Sequence, residues 1–316
     1  MLRVHRSVMR LLLCLLTLNF LGFVRADESF LKPNDVIALV GGEDMVVMSE
    51  LGYLEAFAQW ALPSYKLKFR SLAWEGDTVF EQRRDLNYPS LEAQLDKIGA
   101  TVVIAQFGQM ESLAGEENVS DFVAAYEKLI SRLRGTSKRR LAVIEPTPWT
   151  EVPSQGDIKG RATKYGVYRA AIQKMVGGMR PDVRILATHD FLPAKFPSRD
   201  GTHLGADAQF LVSLSAIENL LGPASKATGL IIDKRSIPIE LQGKLLGLVA
   251  AKNRLWFNYA RPQNWAFLAG DRTNQPSSRD HIDRNKRWFP DELEKFVPLI
   301  EAKETEIWEL AAKLKR

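Results

Sequence analysis

Two periods of apolar and polar positions alternate along this chain. Short apolar runs with β-branched residues, which are typical of buried strands, occupy residues 36–40, 101–107, 140–144 and 183–187. Residues 66–73 are predicted as a further strand. Segments with an apolar residue at every third or fourth position, which are typical of amphipathic helices, occupy residues 45–61, 91–98, 121–133, 164–179 and 205–221. This alternation predicts an α/β fold with a mostly parallel five-stranded sheet covered by helices on both faces.

The predicted strands end in glycine or polar loops. The first strand breaks at Gly41-Gly42 and is followed at once by Glu43 and Asp44, and the third stops at Gly108. Glycine permits tight turns and a close approach of the backbone to its neighbours. Because the carboxyl ends of parallel strands meet at one edge of a sheet, we expect the functional side chains at this edge.

The N-terminal segment is typical of an export signal. Three arginines, Arg3, Arg6 and Arg10, precede an apolar run over residues 11–24, and Val24-Arg25-Ala26 offers a small-residue cleavage site. We predict a signal peptide over residues 1–26 and an exported protein, periplasmic or secreted, with no transmembrane segment after cleavage. An uncleaved anchor is the alternative, although the run is shorter than the roughly 20 residues that span a bilayer.

Charge and cysteine content exclude several classes of function. The chain carries 43 basic and 38 acidic residues, and four of the arginines fall in the signal segment, so 39 basic residues remain after cleavage. The near-neutral remainder gives no argument for a nucleic-acid partner. The single cysteine, Cys14, also lies in the signal segment. The exported chain therefore has no disulfide and no thiol nucleophile.

The pattern changes near residue 222. Residues 250–269 are rich in aromatic side chains, and residues 288–316 are helical in pattern with interleaved glutamates and lysines that favour a solvated face. We predict a main domain over residues 34–221 and a mostly helical C-terminal extension over residues 222–316. The extension either packs on the sheet domain or covers its carboxyl edge as a lid.

Four loops carry the candidate chemistry. They are Gly41-Gly42-Glu43-Asp44, Ala73-Trp74-Glu75-Gly76-Asp77-Thr78, Gly108-Gln109-Met110-Glu111 and Asp200-Gly201-Thr202-His203. Their order resembles the four blocks of the SGNH (GDSL-type) hydrolases, which are esterases, lipases and carbohydrate deacetylases. The resemblance covers about residues 34–221 and implies a three-layer α/β/α, flavodoxin-like fold. The tail, with Arg261-Pro262-Gln263-Asn264, more weakly resembles extensions on exported bacterial members.

The resemblance also implies a role for each block. Asp200 and His203 match the orienting carboxylate and the base. Glu43 stands where the family has its nucleophilic serine, Ala73 where it has an oxyanion-hole glycine, and Met110 where it has an oxyanion-hole asparagine. The remaining block glycines are Gly42, Gly76 and Gly108. The implied substrate is a small-molecule or carbohydrate ester, and no cofactor and no metal are implied.

The three departures weaken the ordinary serine mechanism. Acyl transfer by this route needs a nucleophile, a base and donors aimed at the developing oxyanion. An ionised Glu43 is an acceptor only and would form an anhydride, and Met110 donates nothing. Ala73 keeps a backbone N–H. Ser49, six residues beyond Glu43, is a substitute candidate for the nucleophile.

The acidic residues of these loops permit other interpretations. Glu43, Asp44, Glu75, Asp77 and Glu111 lie on the same predicted edge as the Asp200/His203 pair. One interpretation is a paired acid and base that hydrolyses a glycoside. A second is a site for a hard cation. A third is that these residues are separate helix caps and salt bridges with Arg83, Arg84 or Arg199. The tryptophans, including Trp74, Trp149, Trp256 and Trp265, are core residues or sugar-stacking platforms.

Two functional hypotheses follow. The first is an exported esterase-like hydrolase with a degenerate site. The alternative is a non-catalytic glycan- or envelope-binding module on the same fold, that is, a pseudoenzyme.

Overall fold

The computed structural model describes residues 30–150, 158–188, 192, 200–222 and 241–314. The predicted signal peptide lies outside the described residues. The five strands are β1 (Val36–Gly41), β2 (Lys68–Ser71), β3 (Val102–Gln106), β4 (Arg140–Ile144) and β5 (Val183–Leu186). They form one parallel sheet in the order β2-β1-β3-β4-β5. This is the flavodoxin-like strand order, and it confirms the predicted fold class.

The described α-helices are α1 (Glu43–Leu51), α2 (Tyr53–Ala61), α3 (Leu91–Lys97), α4 (Val119–Arg134), α5 (Ile158–Gly178), α6 (Ala206–Leu221), α7 (Leu246–Ala260), α8 (Trp288–Glu294) and α9 (Phe296–Leu314). One turn of π-helix, Leu241–Leu245, leads into α7. Short 3₁₀ turns are Pro63–Tyr65, Glu111–Ala114, Glu116–Asn118, Trp265–Phe267, Asp271–Asn274 and Pro276–Ser278. None of the described helices is both long and apolar enough to span a bilayer.

The helices sandwich the sheet because successive strand side chains point to opposite faces. Ile37 and Leu39 of β1 pack into one core with α1, α2, α6 and the extension helices α7 and α9. Ala38 and Val40 pack into a second core with α3, α4 and α5. The result is the three-layer α/β/α arrangement, with the extension joined to the first layer.

The predicted helix over residues 45–61 is instead two helices. Gly52 ends α1 and begins α2 with a φ of 70°, a left-handed conformation that breaks the helix and suits glycine. A Cβ at this position would lie 2.8 Å from Cγ1 of Val249 in α7. The chain therefore turns at a point where α7 packs against its backbone. The predicted helix over 288–316 likewise divides into α8 and α9.

Buried charges attach the extension to the sheet domain. Nζ of Lys252 on α7 lies 2.7 Å from Oε2 of Glu55 on α2, and Nη1 of Arg70 on β2 lies 2.5 Å from Oε1 of Glu304 on α9. All four side chains are buried. Burial raises the pKa of Glu55 and lowers the pKa of Lys252. The four groups form two complementary pairs, as buried charges require.

Candidate functional site

The first loop is held tightly at the carboxyl edge. A Cβ on Gly41 would lie 2.7 Å from the carbonyl oxygen of Gln106 on β3 and 2.7 Å from Cβ of Met45 on α1. A Cβ on Gly42 would lie 2.9 Å from the carbonyl oxygen of Asp77. Larger residues would push these elements apart. The two glycines therefore let α1 start directly at the edge, with Glu43 as its first residue.

The loop before α6 forms an ordered acid–imidazole pair. Oδ1 of Asp200 accepts the backbone N–H groups of Thr202 at 3.0 Å and His203 at 2.9 Å, and Oδ2 lies 2.5 Å from Nδ1 of His203. The backbone hydrogen bond from His203 is the largest stabilising influence and lowers the pKa of Asp200 to about 2. Because the carboxylate is ionised and only accepts, Nδ1 of His203 carries the proton of this contact.

Glu43 faces the other side of the same imidazole. Its Oε1 lies 3.4 Å from Nε2 of His203, and both side chains are partly exposed. Glu43, His203 and Asp200 therefore form a row from the start of α1 to the loop before α6. This row places a carboxylate where a triad would place a hydroxyl. An ionised carboxylate only accepts hydrogen bonds, so Glu43 offers Nε2 no hydroxyl to deprotonate.

Asp44 lies behind this row in the protein interior. Burial raises its pKa to about 7, and a hydrogen bond with the Thr147 side chain and the nearby His203 oppose that shift. The side chain is only 8% exposed. It is therefore a group that can be neutral below pH 7, and it lines a small cavity together with Glu43.

Glu111 ties two loops of the edge together. Its Oε1 accepts the N–H of Val79 at 2.9 Å, and its Oε2 accepts the N–H of Gly108 at 2.8 Å. Burial raises the pKa of Glu111, although these hydrogen bonds oppose the shift. The amide of Gly108 is thus already engaged and does not point a free N–H at a substrate.

A cavity of only about 20 Å³ lies beside Glu43. It is lined by residues that follow the first four strands, among them Gly42, Asp77, Gly108, Met110 and Pro146. This volume is room for about one water molecule. The Met110 side chain is 49% exposed and offers no N–H donor. Two residues of the second block lie outside this cavity. Ala73, at the position of an oxyanion-hole glycine, is buried and lines a different cleft. Gly76 has no atom within 4 Å of where a Cβ would stand.

A larger cleft of about 370 Å³ lies between α1, the end of β2 and α7. Ser49, the substitute nucleophile candidate, lines this cleft together with Ser71 and Ala73. Oγ of Ser49 donates to the carbonyl oxygen of Met45 at 2.8 Å and lies 2.9 Å from Oγ of Ser71. The structure therefore places Ser49 in a cleft that does not contain His203.

The remaining acids of the edge have cationic partners. The guanidinium of Arg84 donates two hydrogen bonds to the carboxylate of Asp77, at 2.7 and 2.9 Å. Burial raises the pKa of Asp77. Oε2 of Glu75 lies 2.6 Å from Nη2 of Arg261. These contacts match the interpretation as separate salt bridges. Among the described residues, no group of three or more His, Asp or Glu side chains is arranged to hold a metal ion. Arg199 lies outside the described residues.

Sequence reasoning missed two residues of this region. Nε2 of Gln109 donates to the carbonyl oxygen of Thr202 at 2.8 Å, which joins the loop after β3 to the loop of His203. Arg261 of the extension pairs with Glu75 and lies 4.5 Å above the Trp74 ring. The sequence did not single out Gln109, because it stands at the position of its block where the family accepts any residue. Arg261 lay in the stretch noted only for its resemblance to other extensions.

Comparisons with known proteins find similarity in structure but not in sequence. A scan against models of protein families finds no match, and a search of curated proteins finds none either. A carbohydrate acetylesterase from Sinorhizobium meliloti is 15% identical, over 62% of this chain and 100% of that one, with a TM-score of 0.45. A GDSL-like lipase from Bacteroides thetaiotaomicron is 12% identical, over 59% and 87%, with a TM-score of 0.42.

A gut microbial diltiazem-metabolizing enzyme is 10% identical, with a TM-score of 0.47. The match covers 60% of this chain but spans only about half, 47%, of that longer enzyme. The fold assignment itself stands on the strand order and the three layers described above.

Proposed function

We propose that this chain is an exported protein of the SGNH hydrolase type that binds an ester or glycan ligand without hydrolysing it by the serine route. The observation that carries the proposal is the contact of 3.4 Å between Oε1 of Glu43 and Nε2 of His203. The base of the triad geometry faces a carboxylate, so it has no hydroxyl to activate.

The surroundings of this contact support the same conclusion. The N–H of Gly108 is engaged by Glu111, and Met110 offers no donor, so a developing oxyanion would find little stabilisation from these two positions. Export rests on the N-terminal sequence pattern alone.

Slow ester hydrolysis by a directly activated water is the second candidate. The observation that favours it is the intact Asp200–His203 pair, with its 2.5 Å side-chain contact and two backbone hydrogen bonds. In this case Nε2 of His203 would take one proton from a water molecule beside Glu43 while the water oxygen attacks the acyl carbon. The imidazolium would then return that proton to the alkoxide that leaves.

An assay with short acyl esters and acetylated sugars separates the two candidates. The wild type, His203→Ala and Glu43→Ser would be compared at high protein concentration, with folding checked by circular dichroism. The proposal expects a silent wild type and a gain of activity in Glu43→Ser. Wild-type turnover that disappears in a folded His203→Ala variant would contradict it and establish the second candidate.

A further inference from the structure

The large cleft between α1, the end of β2 and α7 is separate from the row of Glu43, His203 and Asp200. Its volume of about 370 Å³ falls within the range of sites that hold small ligands. It is formed jointly by the sheet domain and the extension. Nδ2 of Asn253 on α7 donates to the carbonyl oxygen of Ser49 on α1 at 2.8 Å, and Nε1 of Trp256 donates to that of Ser71 at 2.7 Å. These bonds fix the two walls relative to each other.

One wall of the cleft carries positive charge. The guanidinium carbons of Arg254 and Arg261 lie 5.5 and 5.1 Å from the centre of the Phe257 ring. The positive charge of Arg261 is balanced by its ion pair with Glu75. Within the described residues, Arg254 is exposed and lies within ion-pair distance of no carboxylate. Arg254 is therefore the cation of this wall that can accept an anionic group from a ligand.

The opposite wall offers groups that suit hydroxyls. Glu50 is exposed and can accept hydrogen bonds, and Asn253 retains a side-chain carbonyl oxygen. Because Ser49 gives its one hydroxyl proton to Met45, Ser71 donates in the contact between the two serines, and its oxygen can still accept a hydrogen bond from a ligand hydroxyl. Apolar side chains of the lining, including Val46 and Ala250, give the remaining surface. A neutral apolar ligand would leave these polar groups without partners, which is costly.

We infer that this cleft binds a sugar acid, such as a hexuronic acid residue of an acidic glycan. The carboxylate would pair with Arg254, the hydroxyls would bond to Glu50, Ser71 and Asn253, and the C–H face of the ring would lie on the apolar lining. This site is independent of the proposed loss of ester hydrolysis, because the cleft contains neither Glu43 nor His203.

Isothermal titration of the full chain with glucuronate, glucose and benzoate up to about 10 mM tests the inference. Glucuronate is expected to bind at least about tenfold more tightly than glucose or benzoate, since only it offers both a carboxylate and hydroxyls. Arg254→Gln is expected to weaken glucuronate binding at least about tenfold. Arg284→Gln changes an exposed arginine outside the cleft and is the matched control, with no expected change.

A second variant guards against indirect effects on folding. Ala250 lines the cleft and is exposed, so Ala250→Trp is expected to fill the space and abolish binding without touching a charge. The inference is overturned if glucuronate does not bind, if benzoate binds equally well, or if Arg254→Gln and Ala250→Trp bind like the wild type. Activity measurements on esters do not enter this test, so its outcome is distinct from that of the proposed function.

Discussion

Oε1 of Glu43 lies 3.4 Å from Nε2 of His203, on the side of the imidazole opposite to Asp200. The ring is therefore held between two carboxylates, one from the start of α1 and one from the loop before α6. The sequence alignment of blocks put Glu43 at the nucleophile position, and the structure brings it to the atom that a nucleophile would contact.

Restoring the hydroxyl and the missing donor together should restore ester hydrolysis. Glu43→Ser alone is expected to give weak activity, because Met110 still offers no donor to the oxyanion. Adding Met110→Asn is expected to raise kcat/KM for p-nitrophenyl acetate by a further factor of about 10² to 10³, the usual contribution of one oxyanion donor. His203→Ala in the double variant is the control and should remove the gain. A double variant no faster than Glu43→Ser would contradict the alignment of the third block.

Asp44 should make the protein less stable as the pH rises. Its pKa is about 7 in the folded protein against 3.8 for the ordinary side chain, so the folded state keeps a proton that the unfolded state loses. The contribution is favourable to folding at low pH and declines between about pH 4 and pH 7. Asp44→Asn, which cannot ionise, should therefore be more stable than the wild type at pH 8 by up to a few kcal/mol.

Denaturant unfolding of both proteins at pH 5 and pH 8 measures this difference. The advantage of Asp44→Asn should be larger at pH 8 than at pH 5. An advantage of the same size at both pH values would show that burial does not hold this carboxyl neutral.

Asp200 should make the protein less stable as the pH falls into the acidic range. Its pKa is lowered to about 2, so the folded state releases a proton that the unfolded state still binds near pH 3. The stability it contributes is present above about pH 4 and is lost as the pH falls through 4 towards 2. Asp200→Asn keeps an acceptor for the two backbone N–H groups, but it removes the charge and replaces the Oδ2 acceptor of His203 with an NH2 donor.

Unfolding experiments on Asp200→Asn between pH 2.5 and pH 7 test this window. The variant should be less stable than the wild type at pH 7, and the gap should close as the pH falls below 4. A gap that stays constant down to pH 2.5 would mean that the charge of Asp200 is not what stabilises the loop.

Removing one buried charge of the extension should destabilise the whole protein. Lys252→Met leaves Glu55 buried without its partner and is expected to cost about 3–5 kcal/mol. The double variant Lys252→Met/Glu55→Met removes both charges and should recover most of that loss. The matched control is Lys303→Met, which breaks the exposed pair with Glu306 and should change the free energy of unfolding by about 0–1 kcal/mol.

A double-mutant cycle in urea measures the coupling. Equal destabilisation by the single and double variants would show that the loss comes from packing around Lys252 and not from the unpaired carboxylate.

The sheet was predictable from sequence because most of its strands are short apolar runs that end at glycine or polar loops. β4 runs over the predicted residues, and the other four strands differ from prediction by at most two residues at either end. The helix break at Gly52 was not predictable, because glycine inside a helical pattern is often tolerated. The reason for the break lies in Val249, almost 200 residues away, and no local pattern reveals such a contact.

The candidate site was partly predictable. Block order placed Glu43, Asp200 and His203 together, since all three follow strands or precede a helix at one sheet edge. It could not show that Glu111 engages the amide of Gly108, or that Ala73 faces a different cleft. These facts depend on side-chain direction within loops, which has no period that a sequence pattern can carry.

The buried pairs of Lys252 with Glu55 and Arg70 with Glu304 have a practical consequence for protein engineering. A fragment ending near residue 222 would keep Glu55 and Arg70 in place but lose both counterions. Such a fragment would also present the apolar surface of α2 that α7 and α9 cover. The part of this chain that carries the sheet is therefore not a portable unit. Domain swaps and crystallisation trials should carry residues 241–314 with it.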